Sequence, residues 1–348
     1  MSNVLKRLER GLFFALGLLL AGYGAGFCGD FTGNPRMESF VSMMADTQSV
    51  DPEELRGILE QAKKKQSILR AMETPAEVKP WWAYKPILVN ARNIQEGRAF
   101  LKRHVRALNR AESVYGVPGA LITAILGVET GYGKNMGTFR VLDSLATLAF
   151  DYPRRADFFT NELKEFFLMA KEYGLPPLSL KGSYAGAMGY PQFMPSSFRR
   201  YAVDFDKDGK KDIWNSVEDA IGSVGHYLAS FGYNPMQPVC LRAVPGPSES
   251  ALKDKVLANG VEPAFSLVVL KEAGFEFQHD GLDASTAGGV FSLEGFDGPE
   301  YWVALPNFWV ITKYNKSRLY AMAVLELARN IQGTKDWAIP MLSKQDSR

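Results

Sequence analysis

The 348 residues predict an α+β fold that is mostly α, with a small α/β domain inserted into it. Three observations lead there. Apolar residues recur at helical spacing through most of the chain before residue 236. From residue 237 to about 293 the texture changes to short β-rich runs broken by Gly, Pro and Asp. Strand-like and then helical sequence follows, so the β-rich part is flanked by the helical part on both sides. The composition is globular, at 46% hydrophobic and 22% charged, and the length suits two or three domains.

Lys6, Arg7 and Arg10 precede an apolar run (11–20) and small residues (21–26), the order of an export signal, to which residues 1–27 are assigned. Cys28 stands where a lipoprotein carries its acylated cysteine, but Phe27 precedes it where such signals have Gly, Ala or Ser. Attachment to the outer membrane through Cys28 and simple secretion into the periplasm both stay open. Without residues 1–27 the formal net charge falls from +2 to 0, which argues against a nucleic-acid partner. Cys240 is the only other cysteine, so no intramolecular disulfide is expected. Three histidines make a histidine-rich metal site unexpected.

Residues 28–78 are assigned to an N-terminal linker and helices. Residues 31–50 are a linker or an early helix, and DPEELRGILEQAKKK (51–65) is helical, with Asp51 as N-cap and Glu54 as capping-box partner. KPWWAYKP (79–86) is expected to be extended because of its two prolines. Residues 93–115 carry Ile94, Phe100, Leu101, Val105, Leu108 and Val114 at the spacing of one long amphipathic helix.

In PGALITAILGVETGYGK (118–134), Pro118 suits a first helical turn, and Leu121, Ile122, Ile125, Val128 and Glu129 mark one stripe. Gly131 and Gly133 stop the helix. Glu129 therefore closes an apolar face, where desolvation and the negative end of the helix dipole both favour the protonated carboxyl. Such a group can act as a general acid near neutral pH. A capping or salt-bridged glutamate is the other reading of that position.

VLDSLATLAF (141–150) is a buried helix, DYPRR (151–155) breaks it, and 158–172 restores helical spacing. LKGSYAGAMGYPQFMPSSF (180–198) is a glycine- and proline-rich stretch with few charges, which points to a functional loop. DFDKDGKKD (204–212) places Asp204, Asp206, Asp208 and Asp212 at alternate EF-hand ligand positions around Gly209, with Lys210 offering its backbone carbonyl. Asn215 stands where the bidentate glutamate belongs; Glu218 or Asp219 in the next helix could supply the missing oxygens. The pattern fits a structural hard cation, Ca2+ first, against a solvated acidic turn. Residues 216–232 form a helix with Ser216 as N-cap. SLVVL (266–270) and GVFSL (289–293) are expected strands, 301–315 returns strand-like sequence to the core, and 317–330 is helical. The resulting partition is 79–236 for a helical catalytic region with its cation loop at 204–219, 237–300 for the α/β insert, 301–335 for the return to the core and 336–348 for a tail.

Together these segments resemble the membrane-bound lytic transglycosylase B family of bacterial murein-cleaving enzymes, from about Tyr84 to Glu326. GVETGYG (127–133) is similar to the family's catalytic-glutamate motif, with Gly131 where a polar or charged residue is common. LATLAFDYPRRADFF (145–159), the 180–198 stretch, the DFDKDG loop and NFWVITKYNKSRLYAMAV (307–324) match further blocks in the same order. The resemblance implies a lysozyme-like helical core and a lyase acting on the carbon–oxygen bond between N-acetylmuramic acid and N-acetylglucosamine. It implies Glu129 as the only catalytic carboxylate, leaving 1,6-anhydro ends without water as nucleophile and without a cofactor. An ordinary glycosidase would need a second carboxylate, and no other acid has comparable sequence context.

By the same resemblance Ser183 and Gln192 lie near the glutamate, Ser183 hydrogen-bonding to Glu129. Tyr227, Tyr314, Asn315 and Tyr320 line the cleft, and Tyr84 marks an outer subsite. Arg154 and Arg155 meet the anionic peptide stem, and Met188 and Phe193 form an apolar wall against sugar faces. Pro191 stands where the family commonly has Gly. The implied partners are peptidoglycan glycan strands, met by a monomer. A hydrolytic muramidase and a non-catalytic murein-binding envelope protein are the competing readings.

Overall fold

Capping residues set where the first helices begin. The computed structural model describes residues 29–334 apart from 74–78, Ser248 and Asp280. Helix α1 (Pro35–Gln48) starts behind Asn34, whose side chain accepts from the Arg36 amide, and α2 (Pro52–Leu59) behind Asp51, which accepts from the amides of Glu53 and Glu54. Helix α2 is shorter than the helical sequence suggests. The chain leaves it so that the amides of Lys63 and Lys65 can donate to Asp143 and Thr147 of a later helix. Helix α3 (Gln66–Glu73) follows. Residues 79–86 are extended only at Pro80: α4 (Trp81–Leu88) begins directly after it, and Pro86 falls in the helix's second half, where the helix ends two residues later. The single helix expected over 93–115 is two, α5 (Ala91–Arg103) and α6 (Val105–Tyr115). They break at His104, which leaves helical geometry with its ring 4.5 Å from that of Phe100.

Helix α7 (Gly119–Thr130) is next, then a short strand β1 (Phe139–Arg140), α8 (Val141–Asp151), a 3-10 turn (Pro153–Arg155) and α9 (Ala156–Tyr173). Strand β2 (Lys181–Gly182) pairs antiparallel with β1, and α10 (Pro195–Tyr201) and α11 (Val217–Ser230) complete this part. Helix α7 is the centre of the helical body: every residue of it except Val128 and Glu129 is buried. Pro118 offers no side-chain cap, and the buried carboxylate of Glu112 substitutes by accepting from the Gly119 amide at 2.6 Å.

The remaining elements are β3 (Cys240–Pro245), α12 (Ala251–Asn259), β4 (Phe265–Ser266), α13 (Leu267–Glu272), β5 (Phe275–Glu276), β6 (Ala287–Gly295), β7 (Gly298–Ala304), α14 (Pro306–Tyr314) and α15 (Arg318–Gln332). The strands form one antiparallel sheet in the order β4-β6-β7-β3-β5. Alternation along the strands splits the sheet's faces. Phe291, Leu293, Trp302 and Ala304 join the large core of the helical body. Val290 and Val303 join a second, smaller core with Val256, Leu267 and Leu270 from α12 and α13.

Two expected strands are partly helical. SLVVL ends its strand at Ser266, whose side chain caps α13 by accepting from the Val269 amide. There Leu267 and Leu270 bury themselves one helical turn apart. Strand β7 stops at Ala304, and Pro306 at the first turn converts the rest of that stretch into α14. Helix α5, α6 and α15 pack around α7. Among the described residues no single helix is long and apolar enough to cross a membrane. The expected signal (1–27), Cys28 and the tail (336–348) lie outside the described residues.

Candidate active site

The end of α7 is built by its own motif. Gly131 caps the helix in the left-handed region (φ 56°). Tyr132 follows with φ 63°, a strained choice for a non-glycine residue, and is held there by its hydroxyl, which donates to the Asn93 carbonyl at 2.7 Å. A Cβ on Gly127 would come within 2.6 Å of the Tyr132 ring, so that glycine makes room for the turn. Thr130 Oγ accepts from the Gly133 amide and lies 3.1 Å from the Tyr190 carbonyl, to which it donates. Asn93, Tyr132 and Tyr190 were not legible as site residues, because their roles are backbone contacts made across long sequence separations.

Glu129 stands in a partly open position on the last turn of α7. Its carboxyl is nevertheless largely surrounded by protein, and burial pushes its pKa up to about 7. The Tyr320 hydroxyl opposes that rise by donating to Glu129 Oε1 at 2.5 Å. Neither an arginine nor a second carboxylate enters among the causes of this shift. Tyr84 and Tyr314 lie close enough to feel the Glu129 charge, and their phenol pKa values, already raised by burial, rise further for it. Three phenols from α4, α14 and α15 thus surround one carboxyl from α7.

The 180–198 loop is ordered by its own hydrogen bonds. Gln192 adopts φ 50° and donates its side-chain amide to the carbonyls of Met136 and Gly189. The Tyr314 hydroxyl donates to the Pro191 carbonyl at 2.6 Å, which links the Gln192 turn to the phenols around Glu129. Tyr227 donates to the Lys313 carbonyl and packs on Tyr314 with ring centroids 4.8 Å apart.

Several expectations need correction. The hydroxyl on Glu129 belongs to Tyr320 and not to Ser183, whose Oγ accepts from the Ala185 and Ala187 amides and shapes its own turn. Met188 is fully buried, and Phe193 is buried against Tyr227 and Tyr314, so both support the loop from beneath and do not face sugars. Tyr227 is likewise a buried brace. Asn315 is exposed and spends its carbonyl on the Ser317 amide at the start of α15. Arg154 and Arg155 lie exposed on the 3-10 turn, with the Arg155 guanidinium 4.4 Å from the Phe158 ring centre. That turn packs with α8 and α9.

The acidic loop brings oxygens of Asp204, Asp206 and Asp219 within 4.8 Å of one another. Asp219 is fully buried and accepts from the amides of Phe205, Asp206 and Asp212, which closes the loop onto α11. Asp208 and Asp212 are not brought into this cluster; each turns its carboxylate to amides of the following residues. Lys210 is held in the turn by its amide, which donates to Asp208. Glu218 pairs with Arg110 instead. Three converging carboxylates, none with a basic side-chain partner among the described residues, suit one hard cation. The loop is tied to the active-site loop: the Tyr190 amide donates to the Ile213 carbonyl, and the Trp214 indole to the Lys181 carbonyl.

Comparison with known proteins places this arrangement. Residues 32–329 match the family described as the transglycosylase SLT domain. The chain is 42% identical over 316 residues to the membrane-bound lytic murein transglycosylase B of Escherichia coli (strain K12), covering 87% of this chain and 84% of that protein. It superposes on soluble lytic transglycosylase SltB1 from Pseudomonas aeruginosa with a TM-score of 0.80 at 47% identity, over 86% of this chain and 99% of that one. Escherichia coli lytic transglycosylase Slt35 in complex with calcium gives 0.78 at 42% identity, over 87% and 95%. Pseudomonas aeruginosa SltB3 in complex with NAG-anhNAM-pentapeptide gives 0.75 at 29% identity, over 88% and 81%.

Proposed function

This chain belongs to the transglycosylase SLT domain family and is a peptidoglycan-cleaving lytic transglycosylase with a lysozyme-like fold, and we propose that Glu129 is its one acid and base. The observation that carries this reading is a carboxyl at the end of a buried helix, its pKa pushed up to about 7 by burial, that takes its side-chain hydrogen bond from a phenol. Protonated Glu129 donates to the glycosidic oxygen between N-acetylmuramic acid and N-acetylglucosamine, and the bond from that oxygen to the muramic C1 breaks. The carboxylate left behind is stabilised by the Tyr320 hydroxyl. It takes the proton of the muramic 6-hydroxyl while O6 bonds to C1, so that the 1,6-anhydro ring closes and Glu129 ends as it began. No water is consumed. Membership of a family of lytic transglycosylases supports this route over hydrolysis, which needs an acid and a separate base or nucleophile.

Around that step Gln192, on its strained turn, faces the sugar amides, and Tyr84, Tyr314 and Tyr320 line the cleft. Ser183, Tyr227, Met188 and Phe193 hold the loop in shape. Asn315 flanks the cleft on the outside, and Arg154 and Arg155 meet stem carboxylates of the strand. Asp204, Asp206 and Asp219 hold a structural Ca2+, helped by the Lys210 carbonyl; the calcium complex of Slt35 supports this. The pentapeptide glycan bound by SltB3 supports murein strands with peptide stems as the partner. We further propose export by residues 1–27, periplasmic action with or without an outer-membrane anchor on Cys28, a monomeric state, and the partition into helical core, 237–300 insert and 301–335 return.

Digestion of sacculi tests the chemistry. Wild type is expected to release 1,6-anhydro muramic ends, and Glu129→Gln to lower that release by two to four orders of magnitude, the usual range for losing acid–base catalysis. Reducing muramic ends in place of anhydro ends would mark a muramidase. Undiminished release by Glu129→Gln would remove Glu129 from the mechanism, and no release by wild type would leave a binding protein.

A further inference from the structure

Lys85 and Glu326 take no part in the chemistry above, yet they bear on one of its tyrosines. The Lys85 ammonium, on α4, lies 3.0 Å from Glu326 Oε1 on α15. Glu326 is the more withdrawn of the two, at 13% side-chain exposure against 39%, and Arg329, one turn further along α15, approaches its other oxygen at 3.7 Å. The same ammonium lies 5.7 Å from the centre of the Trp81 ring, within cation–π range. Trp81 is buried and stacks on Tyr84, with ring centroids 6.5 Å apart and planes inclined by 29°. One line of contacts therefore runs from Glu326 through Lys85 and Trp81 to Tyr84.

Helix α4 has little of its own to hold that tyrosine in place. It has eight residues, carries Pro86 inside it and starts at Pro80 without a side-chain cap. A helix so short is not stable by itself in water. Its orientation comes from packing on α15 and β6. Tyr84 is half-buried, and near enough to Glu129 that its phenol pKa, raised first by burial, rises further with the carboxylate's charge. Any slide or rotation of α4 on α15 carries Tyr84 with it, and the Lys85–Glu326 pair crosses that interface.

An ammonium that is paired with a carboxylate and lies over a ring face is fixed from two sides, and it fixes the ring in turn. We infer that Lys85 and Glu326 are positioning residues for Tyr84: the ion pair sets Trp81, and Trp81 sets the angle at which the Tyr84 ring meets the sugar beside Glu129. This inference rests on the murein reading above, in which Tyr84 lines the cleft, and names what aims it.

Kinetics on peptide-free murein glycan strands test it. Lys85→Met keeps the aliphatic stem and removes the charge. It is expected to raise KM for the release of anhydro ends by roughly fivefold and to leave kcat within about twofold, the scale of one lost coupling between neighbours. Glu326→Gln should repeat the rise in KM. Lys85→Arg keeps both the ion pair and a cation over the ring, and should hold KM within about twofold of wild type. The deciding measurement is a cycle with Tyr84→Ala: in that background Lys85→Met should change KM by less than about twofold, since the group it aims is gone. An unmoved KM in Lys85→Met overturns the inference. So does a full rise in KM in the Tyr84→Ala background, or a fall in kcat that tracks a lower melting temperature, which would make the pair structural only. The same cycle, read as the Kd of Glu129→Gln proteins for the glycan, needs no cleavage. The positioning thus stands or falls on glycan binding and the chemistry on the ends that wild type releases; a parent that binds no glycan removes both.

Discussion

Glu129 and Asp219 are both withdrawn carboxyls at helix ends, and burial raises the proton affinity of each. They sit at opposite poles. Glu129 lies on the last turn of α7, where the helix dipole disfavours negative charge and no backbone N–H is available to it. Asp219 lies in the first turn of α11, takes three backbone amides, and has Asp204 and Asp206 beside it. One environment supplies a single phenol and leaves a proton that can come and go. The other brings three carboxylates together, an arrangement that suits a hard cation. What a carboxyl does in this protein is set by how many neutral donors face it.

The largest effect expected from that contrast is at the acidic loop. Calcium at a thousand times its Kd should stabilise the wild type by about 4 kcal/mol, read as a rise in melting temperature. Asp204→Asn should remove most of the rise. Because the loop is hydrogen-bonded to Tyr190 and Lys181, chelator should also loosen the Gln192 turn and lower cleavage. An identical melt in chelator and in calcium would reduce the loop to a solvated turn and dissolve the comparison.

A second, smaller effect sharpens the Glu129 side. Its pKa is raised from 4.5 to about 7 by folding. A raised folded-state value means that the protonated carboxyl favours the fold; this contribution is complete below about pH 4.5 and is lost as pH climbs through about 7. Glu129→Gln removes the loss. Its melting temperature should therefore gain on wild type between pH 5 and pH 8, by on the order of 2–3 kcal/mol in stability. A difference independent of pH would mean that the carboxyl is already solvated.

The smallest effect concerns Tyr320. Its hydroxyl holds the Glu129 pKa down, so Tyr320→Phe should move the alkaline limb of kcat/KM upward. Activity should fall as well, since the carboxylate between the two proton transfers loses its donor. An unmoved limb with lowered activity would assign Tyr320 to positioning alone.

Much of this was legible in the chain. The apolar run ending in Glu129 and two glycines located the acid, because helix periodicity and desolvation act over a dozen residues. Alternating aspartates around Gly209 and the cap at Ser216 were local too, and the change of texture after residue 237 marked the sheet. Three things were not legible: that residues 81–86 are helical, that 267–272 turns from strand to helix, and that His104 splits a long helix. In each, the choice rests on one residue, Pro80 opening α4, Ser266 capping α13 or His104 leaving helical geometry, and periodicity over a dozen residues averages such choices away.

The site shows the same division. Sequence alone determined that one glutamate ends a buried helix and that tyrosines recur in blocks after it. Only the tertiary structure decided which phenol touches the carboxyl, that Ser183 serves its own turn, that Met188 and Phe193 lie beneath the surface, and that Asp219 rather than Glu218 closes the acidic loop. Periodicity says which face a residue takes, whereas a hydrogen bond depends on where another segment, often more than a hundred residues away, places its partner atom.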